Sequence, residues 1–462
     1  MQIVKLLKRQ LIRGVFLIFI SVTLNAQIDK NTTRSQLSDV EKLYGLSCFW
    51  REASYKFVYF DQVPELDWDQ AYQEYIPQVL ATKSTYEYYR VMQRFCALLN
   101  DGHTHIYYPG KVLEDQMYFP PIVVREIDHR AIIADLDSTI SKTIPVGSEI
   151  IEVDGVPLLE HLTKNVFPYI CNSTEHSRWN WAIQGINFAR VGMLAGARGS
   201  KVNLTIKDHS GGLHTLSVVR NRITPDPTDR YTMKAIMSNS ISDLVELKWL
   251  ESDEIAYVAL NTFMPNAKVV DQFKAVLPEL HKAKGIIIDL RANHGGSSGI
   301  ARQIASLITA DTLISAISRT RSLGGEADKH TEHYLGKAWH RADPDTIFPQ
   351  PVVNTNMPVV VLIGPGTASG AEDFLLLLDP IERFTFVGQP TYGSTGQPVN
   401  LTLPGGGGAQ ICAKRDSYPD GREFVGYGIH PDVKVKMTVE ALCRGSDMAL
   451  EKGIQILTNN QD

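Results

Sequence analysis

Gly285-Ile286-Ile287-Ile288-Asp289-Leu290-Arg291-Ala292-Asn293-His294-Gly295-Gly296-Ser297-Ser298-Gly299 is the stretch from which the fold follows. A nearly all-apolar run, a glycine-rich turn and the helical spacing of Ile300–Ile308 predict a buried strand, a tight turn and a helix. A second stretch repeats the pattern. Val359–Ile363 leads into Gly364-Pro365-Gly366-Thr367-Ala368-Ser369-Gly370-Ala371-Glu372-Asp373-Phe374, with a helix over Ser369–Leu378. Ile255–Leu260 reads as another strand, and Phe273–Lys284 as a helix that Pro278 interrupts or kinks. Strands alternating with helices predict α/β architecture over residues 226–462.

The two turns carry chemistry. Adjacent glycines let backbone N–H groups face an anion without Cβ obstruction. No GxxxxGK[ST] pattern accompanies them, so a nucleotide cradle is a weak reading. The second turn places the Ser369 hydroxyl at a helix N-terminus, where the dipole favours developing negative charge. Ser369 reads either as a nucleophile or as an ordinary N-cap serine.

Upstream, residues 34–100 read as helical. Ser38-Asp39-Val40-Glu41 can cap and start a helix, Pro64–Asp69 breaks it and starts another, and a third covers about Ser84–Leu99. Residues 117–225 are β-rich. Val146–Pro157, a strand with an Asp154-Gly155 turn before a helix near Leu159, resembles a signature stretch of PDZ domains. The glycine-bearing carboxylate-binding loop of such domains is absent, and Tyr118-Phe119-Pro120-Pro121 stands near its place. The module reads as a peptide binder by strand addition or as a β-rich spacer.

Hydrophobic residues make up 44% and charged residues 21% of the 462, as in a folded soluble protein. Net charge is −5, with no dominant basic stripe, which argues against nucleic acid. Lys5, Lys8, Arg9 and Arg13 precede the apolar run Gly14–Leu24, which reads as a signal peptide over residues 1–26. Its removal leaves a net charge near −9. Leu24 is a poor residue before a cleavage site, so a retained N-terminal anchor is the alternative. No later window suggests a membrane span. The expected location is periplasmic or extracellular. Cys48, Cys96, Cys171, Cys412 and Cys443 form no CxxC pair, so a zinc or redox site is not expected. An exported chain can hold one or two disulfides among them.

The order DLRANHGG, GPGTASGAEDF, GQPTYGSTGQP (388–398) and GYGIHPDV (426–433) is similar to the serine peptidase family of C-terminal-processing (tail-specific) and tricorn-core peptidases. The resemblance covers essentially the whole mature chain. It implies a multidomain α/β fold: an N-terminal helical domain (27–116), a PDZ-like domain (117–225) and a ClpP/crotonase-like ββα-superhelix peptidase core (226–462). It further implies Ser369 as nucleophile, and an oxyanion hole from the N–H groups of Gly295 or Gly296 and of Gly370. The C-terminal-processing branch activates its serine with a Lys, whose position here holds Ser394, and a Ser cannot serve as base. Lys414 is the nearest downstream Lys, and no motif places it in the site.

The tricorn-like branch uses a His before the PDZ-like module. Leu99-Asn100-Asp101-Gly102-His103-Thr104-His105 matches it with His103 as base and His105 as second choice. His103 and His105 also have the spacing of a metal pair, but a third ligand is missing. For the residue that orients the base, the branch has a Glu where Val425 stands. Glu423 would share its face in an extended strand and is the candidate, with Asp101, Glu372 and Asp373 as alternatives. His294 and His430 read as lining residues. The expectation is an exported serine endopeptidase without metal or organic cofactor. It would act on polypeptides, which it would bind through their C-terminus in one version, and the oligomeric state stays open. The competing expectation is an inactive peptide- or ligand-binding protein on the same scaffold.

Overall fold

Ser38 Oγ accepts the Glu41 N–H, and Glu41 Oε2 accepts the Ser38 N–H, a reciprocal cap that starts the helix Asp39–Lys56. This is seen in a computed structural model that describes residues 36–138, 140, 143–185, 191–224, 244–250, 254–265, 268–322, 338–350 and 356–459. Residues 1–26, read as a signal peptide, lie outside the described residues.

Asp67 caps Trp68–Ala81 and Ser84 caps Thr85–Ala97 through side-chain acceptors. The three helices bury an aromatic cluster in which Trp68 stacks on Phe95 at 4.3 Å and Phe49 meets both edge-on. The chain then turns through residues 101–104 into the short strand His105–Tyr107. That strand pairs antiparallel with Gly408–Cys412, which pairs in turn with Pro398–Thr402. This small sheet delivers the 101–104 turn to the far end of the sequence.

Residues 122–219 build a β-sheet in the order Ile122–Ile127, Arg130–Leu136, Glu149–Val153, Lys201–Lys207, Leu213–Val219. The helix Glu175–Gln184 packs on its Ile122–Ile127 edge. The Tyr118 N–H donates to Gly196 O and the Phe119 N–H to Arg222 O, each at 2.8 Å. That turn therefore offers neither donor to a peptide carboxylate.

The core sheet runs Val433–Lys434, Phe384–Gly388, Val359–Ile363, Gly285–Asp289, Ile255–Leu260, Val245–Leu250. Its neighbours are parallel except for the last, antiparallel pair. Parallel strands need both faces covered, which explains their unbroken apolar runs. Ile286, Ile288, Val359, Val361 and Ile363 share one buried cluster with Phe273, Ile304 and Phe374 of the helices Val269–Leu280, Ser298–Ile308 and Gly370–Leu378. Ile287, Val360 and Leu362 point the other way, onto Leu457 of the helix Met448–Asn459. Pro278 sits inside its helix near the end. The class is mixed α/β. A single apolar cluster continues from Leu37 to Ile429, so the three sequence segments share a core. No helix among the described residues is long and apolar enough to cross a membrane. All five cysteines are free thiols, and the Cys96 and Cys171 sulfurs lie 3.5 Å apart.

Candidate active site

The strand Val359–Ile363 ends in a turn pinned by Thr367, whose Oγ1 accepts the Gly364 N–H and donates to Leu290 O. Ser369 follows at the N-cap of Gly370–Leu378 with φ 56° and ψ −124°. A non-glycine residue in this region costs about 1–3 kcal/mol and persists only where its surroundings hold it. Here the Ser369 N–H donates to Glu372 Oε2 and Ser394 O, both at 3.1 Å. Ser369 Oγ lies 2.9 Å from His103 Nε2. The strained turn thus presents the hydroxyl to the His103 ring, a geometry like that of nucleophile elbows.

Glu372 is fully buried and acts as a staple. Its carboxylate accepts from Ser369 N, Ser394 N (3.1 Å), Gly393 N (2.8 Å) and Thr391 Oγ1 (2.5 Å). Burial pushes its pKa up to about 8 in spite of those donors. It binds the two serine-bearing loops together and does not touch His103.

The glycine turn packs against Ser369. A Cβ on Gly295 (φ +89°) would stand 2.6 Å from Ser369 Cβ, and one on Gly296 (φ +137°) 2.2 Å from the Phe263 carbonyl. The Gly295 N–H donates to Asn293 Oδ1 at 2.8 Å, so it is spent inside the turn. The N–H groups of Gly296 and Gly370 carry no hydrogen bond among the described residues. Of the glycines expected at an oxyanion hole, Gly296 and Gly370 are therefore the open donors, and Gly295 shapes the turn.

His103 sits in the 101–104 turn, against Gln410, whose Nε2 donates to its carbonyl at 2.9 Å. Tyr392 backs the turn so closely that a Cβ on Gly102 would lie 2.4 Å from its ring. His103 Nδ1 is 2.7 Å from Ser394 Oγ, and Ser394 Oγ is 3.4 Å from Asp101 Oδ1. With the Ser394 hydroxyl donating to Asp101, the tautomer that satisfies both contacts carries its proton on Nδ1 and leaves Nε2 to accept from Ser369. Asp101 is buried and accepts from Thr104 Oγ1 at 2.6 Å and from the His103 N–H at 3.2 Å. Burial raises its pKa, against the pull of those donors and of His105. Burial, with His105 and Lys414 nearby, lowers the His103 imidazole to about 3, so the resting ring is neutral.

Other sequence candidates fall elsewhere. Glu423 makes a bidentate pair with Arg415 at 2.9 and 2.6 Å and does not reach His103. It stands in irregular chain, so the two-residue period that selected it does not apply there. Asp373 accepts from Ser298 and Thr395. His105 lies in the strand, its ring near Trp181. Cys96, by hydrogen bonding, and His105 lower the Cys171 thiol to about 6. Against the effect of burial, Asp416 and Asp373 hold Lys414 above its ordinary pKa, and its Nζ pairs with Asp416 at 2.8 Å. His294 lines a cavity at the carboxyl ends of the core strands, and His430 is exposed. What the sequence reading missed is the pairing of Ser394 with Asp101 behind His103. Nothing local in the sequence sets Ser394 against the 101–104 turn.

A strained serine, a neutral histidine on its hydroxyl and two open N–H donors are the parts of a serine-type peptidase domain. Residues 254–435 match the model of peptidase family S41. A carboxyl-terminal-processing protease of Picosynechococcus sp. is 26% identical over 293 residues, 61% of this chain and 62% of that one. The chloroplastic C-terminal processing peptidase of Tetradesmus obliquus is 25% identical over 284 residues, 58% of this chain and 55% of that one. The chain thus spans less than two thirds of the length of either relative. The crystal structure of mature CPAF has the same fold, with a TM-score of 0.69 at 16% identity over 91% of this chain and 96% of that one.

Proposed function

We propose that the chain is an exported serine endopeptidase with Ser369 as nucleophile and His103 as general base. The observation that carries this is the 2.9 Å contact between His103 Nε2 and the hydroxyl of a serine held at positive φ. Ser369 Oγ attacks the peptide carbonyl as His103 Nε2 takes its proton, and the N–H groups of Gly296 and Gly370 hold the oxyanion. The C–N bond then breaks as His103 returns the proton to the leaving amine. Water, deprotonated by the same ring, releases the acyl group. Ser394 fixes the tautomer and links the charged ring to Asp101. The sheet over 122–219 serves as the PDZ-like module, taking up extended peptide along its Ile122–Ile127 edge beside Glu175–Gln184. The basic and apolar N-terminus supports export.

Labelling with a fluorophosphonate serine probe tests the proposal on wild type, Ser369→Ala, His103→Ala and His105→Ala. Wild type and His105→Ala are expected to label and the other two to stay unlabelled. A folded wild type that does not label would refute it in favour of an inert binding protein.

A further inference from the structure

The three-stranded sheet Ala338–Ala342, Ile317–Ser322, Lys414–Ser417 carries an unusual register. Arg319 stands directly opposite Arg341 on one side and Arg415 on the other. Arg321, two residues along, shares the face and stands opposite Trp339. Like charges placed opposite each other across strands are destabilising. Three arginines in one row therefore need either compensation inside the fold or a role outside it.

The compensation is partial. Arg415 is 15% exposed and taken up by Glu423 and by Asp61 at 2.7 Å. Arg341 has one loose pair, with Asp343 at 3.2 Å, in which both side chains are more than half exposed. Arg321 NH1 donates to Ser54 O, and its guanidinium lies 5.3 Å from the Phe60 ring and 5.8 Å from the Trp339 ring. Arg319 pairs with no carboxylate among the described residues. These residues line a cavity of about 700 Å³ between the sheet face and Val58–Asp61, with four arginines against two carboxylates. The chain as a whole is acidic, so this groove concentrates the opposite sign, and that is how clefts steer charged ligands.

We propose that this groove binds a carboxylate-rich polypeptide segment. The face fits one in extended form. Arg319 and Arg321 repeat every second residue, the spacing at which an extended peptide presents side chains on one side. Arginine forks match carboxylates bidentately. Trp339 (43% exposed) and Phe60 supply apolar floor for the intervening residues. Acidic residues at alternate positions are the expected signature. As a substrate class for the peptidase this rests on the catalytic reading, but the binding itself does not.

The test therefore measures binding without cleavage. The full chain carrying Ser369→Ala is titrated against a fluorescein-labelled peptide of alternating Glu and Thr, with a Gln-Thr peptide as control, by anisotropy at low and moderate salt. The Glu peptide is expected to bind and the Gln peptide not to, with affinity falling as salt rises. Arg319→Gln should weaken binding about tenfold or more, and Arg319→Lys, which keeps the charge but not the fork, by less than Arg319→Gln. Because Arg319→Gln relieves a like-charge row, its Tm should be unchanged or higher, which separates loss of the site from loss of the fold. Equal binding of the two peptides, no binding, or binding indifferent to Arg319→Gln would overturn the proposal. So would an oligonucleotide or sulfated polysaccharide binding more tightly through the same arginines.

Discussion

Ser394→Ala isolates the link behind the base. It removes the oxygen 2.7 Å from His103 Nδ1 and leaves that N–H without its partner. In the resting enzyme the ring is neutral, and such a bond contributes roughly 1 kcal/mol; once the ring is an imidazolium, the same bond contributes roughly 1.5–3 kcal/mol. Only the difference raises the barrier, about 0.5–2 kcal/mol, or roughly a 2–30-fold slower reaction. Asp101→Asn keeps the shape and removes the charge. Asp101 is linked to Nδ1 by contacts of 2.7 and 3.4 Å through Ser394, and a unit pair about 6 Å apart with an effective dielectric near 20 is worth about 3 kcal/mol, on the order of 100-fold. The two residues belong to one hydrogen-bonded chain, so their losses should be less than additive, and the double variant only modestly slower than Asp101→Asn alone. The assay is the second-order rate of fluorophosphonate labelling, which needs no natural substrate, with thermal melts to verify folding. Burial raises the Asp101 pKa, so the gap between wild type and Asp101→Asn should narrow as pH falls and the carboxylate takes up its proton. A folded Ser394→Ala labelling within about twofold of wild type, or a double variant whose losses multiply, would refute the relay.

Glu372 predicts a stability profile. Its folded pKa of about 8 lies above the unfolded carboxylate value, so its contribution is fully present below about 4.5 and is lost as pH rises toward 8, by up to about 5 kcal/mol. Urea midpoints between pH 5 and 9 should fall more steeply for wild type than for Glu372→Gln, and parallel slopes would sink the idea. Gly296→Ala drives a Cβ into the Phe263 carbonyl and should abolish labelling and lower Tm, whereas Gly299→Ala, which meets only Ser297 Oγ at 3.3 Å, should do neither. If Gly296→Ala labels normally, the turn is not the oxyanion donor. Finally, Ser394 is next to both Ser369 and His103, so a Lys there can reach the hydroxyl once the ring is gone. His103→Gly/Ser394→Lys should label at least about tenfold faster than His103→Gly, increasingly so at alkaline pH, and a double variant as slow as the single would show that the space cannot be reused.

The parts legible in the sequence are those with a local period or a local cap. Ser38, Asp67 and Ser84 announce their helices, and the runs at 255–260, 285–289 and 359–363 are strands because both faces are covered. The Ser369 turn was legible for the same reason, since strand, turn and helix follow one another without a gap. The site candidates that went astray share one cause. Glu423 rests on a two-residue period, but it lies in irregular chain, and His105, the second choice after His103, already belongs to the strand that begins there. Where periodicity stops, direction is set by partners: Arg415 turns Glu423 away, and Asp101, Gln410 and Tyr392 hold His103 on Ser369. The arginine row is the same lesson in the other sense. Its members come from three strands that only the tertiary register aligns, so a chain with net negative charge and no basic run still assembles a cationic face. Charge counted along a sequence says what the unfolded chain carries; the repulsion that marks a binding site exists only after the strands have paired.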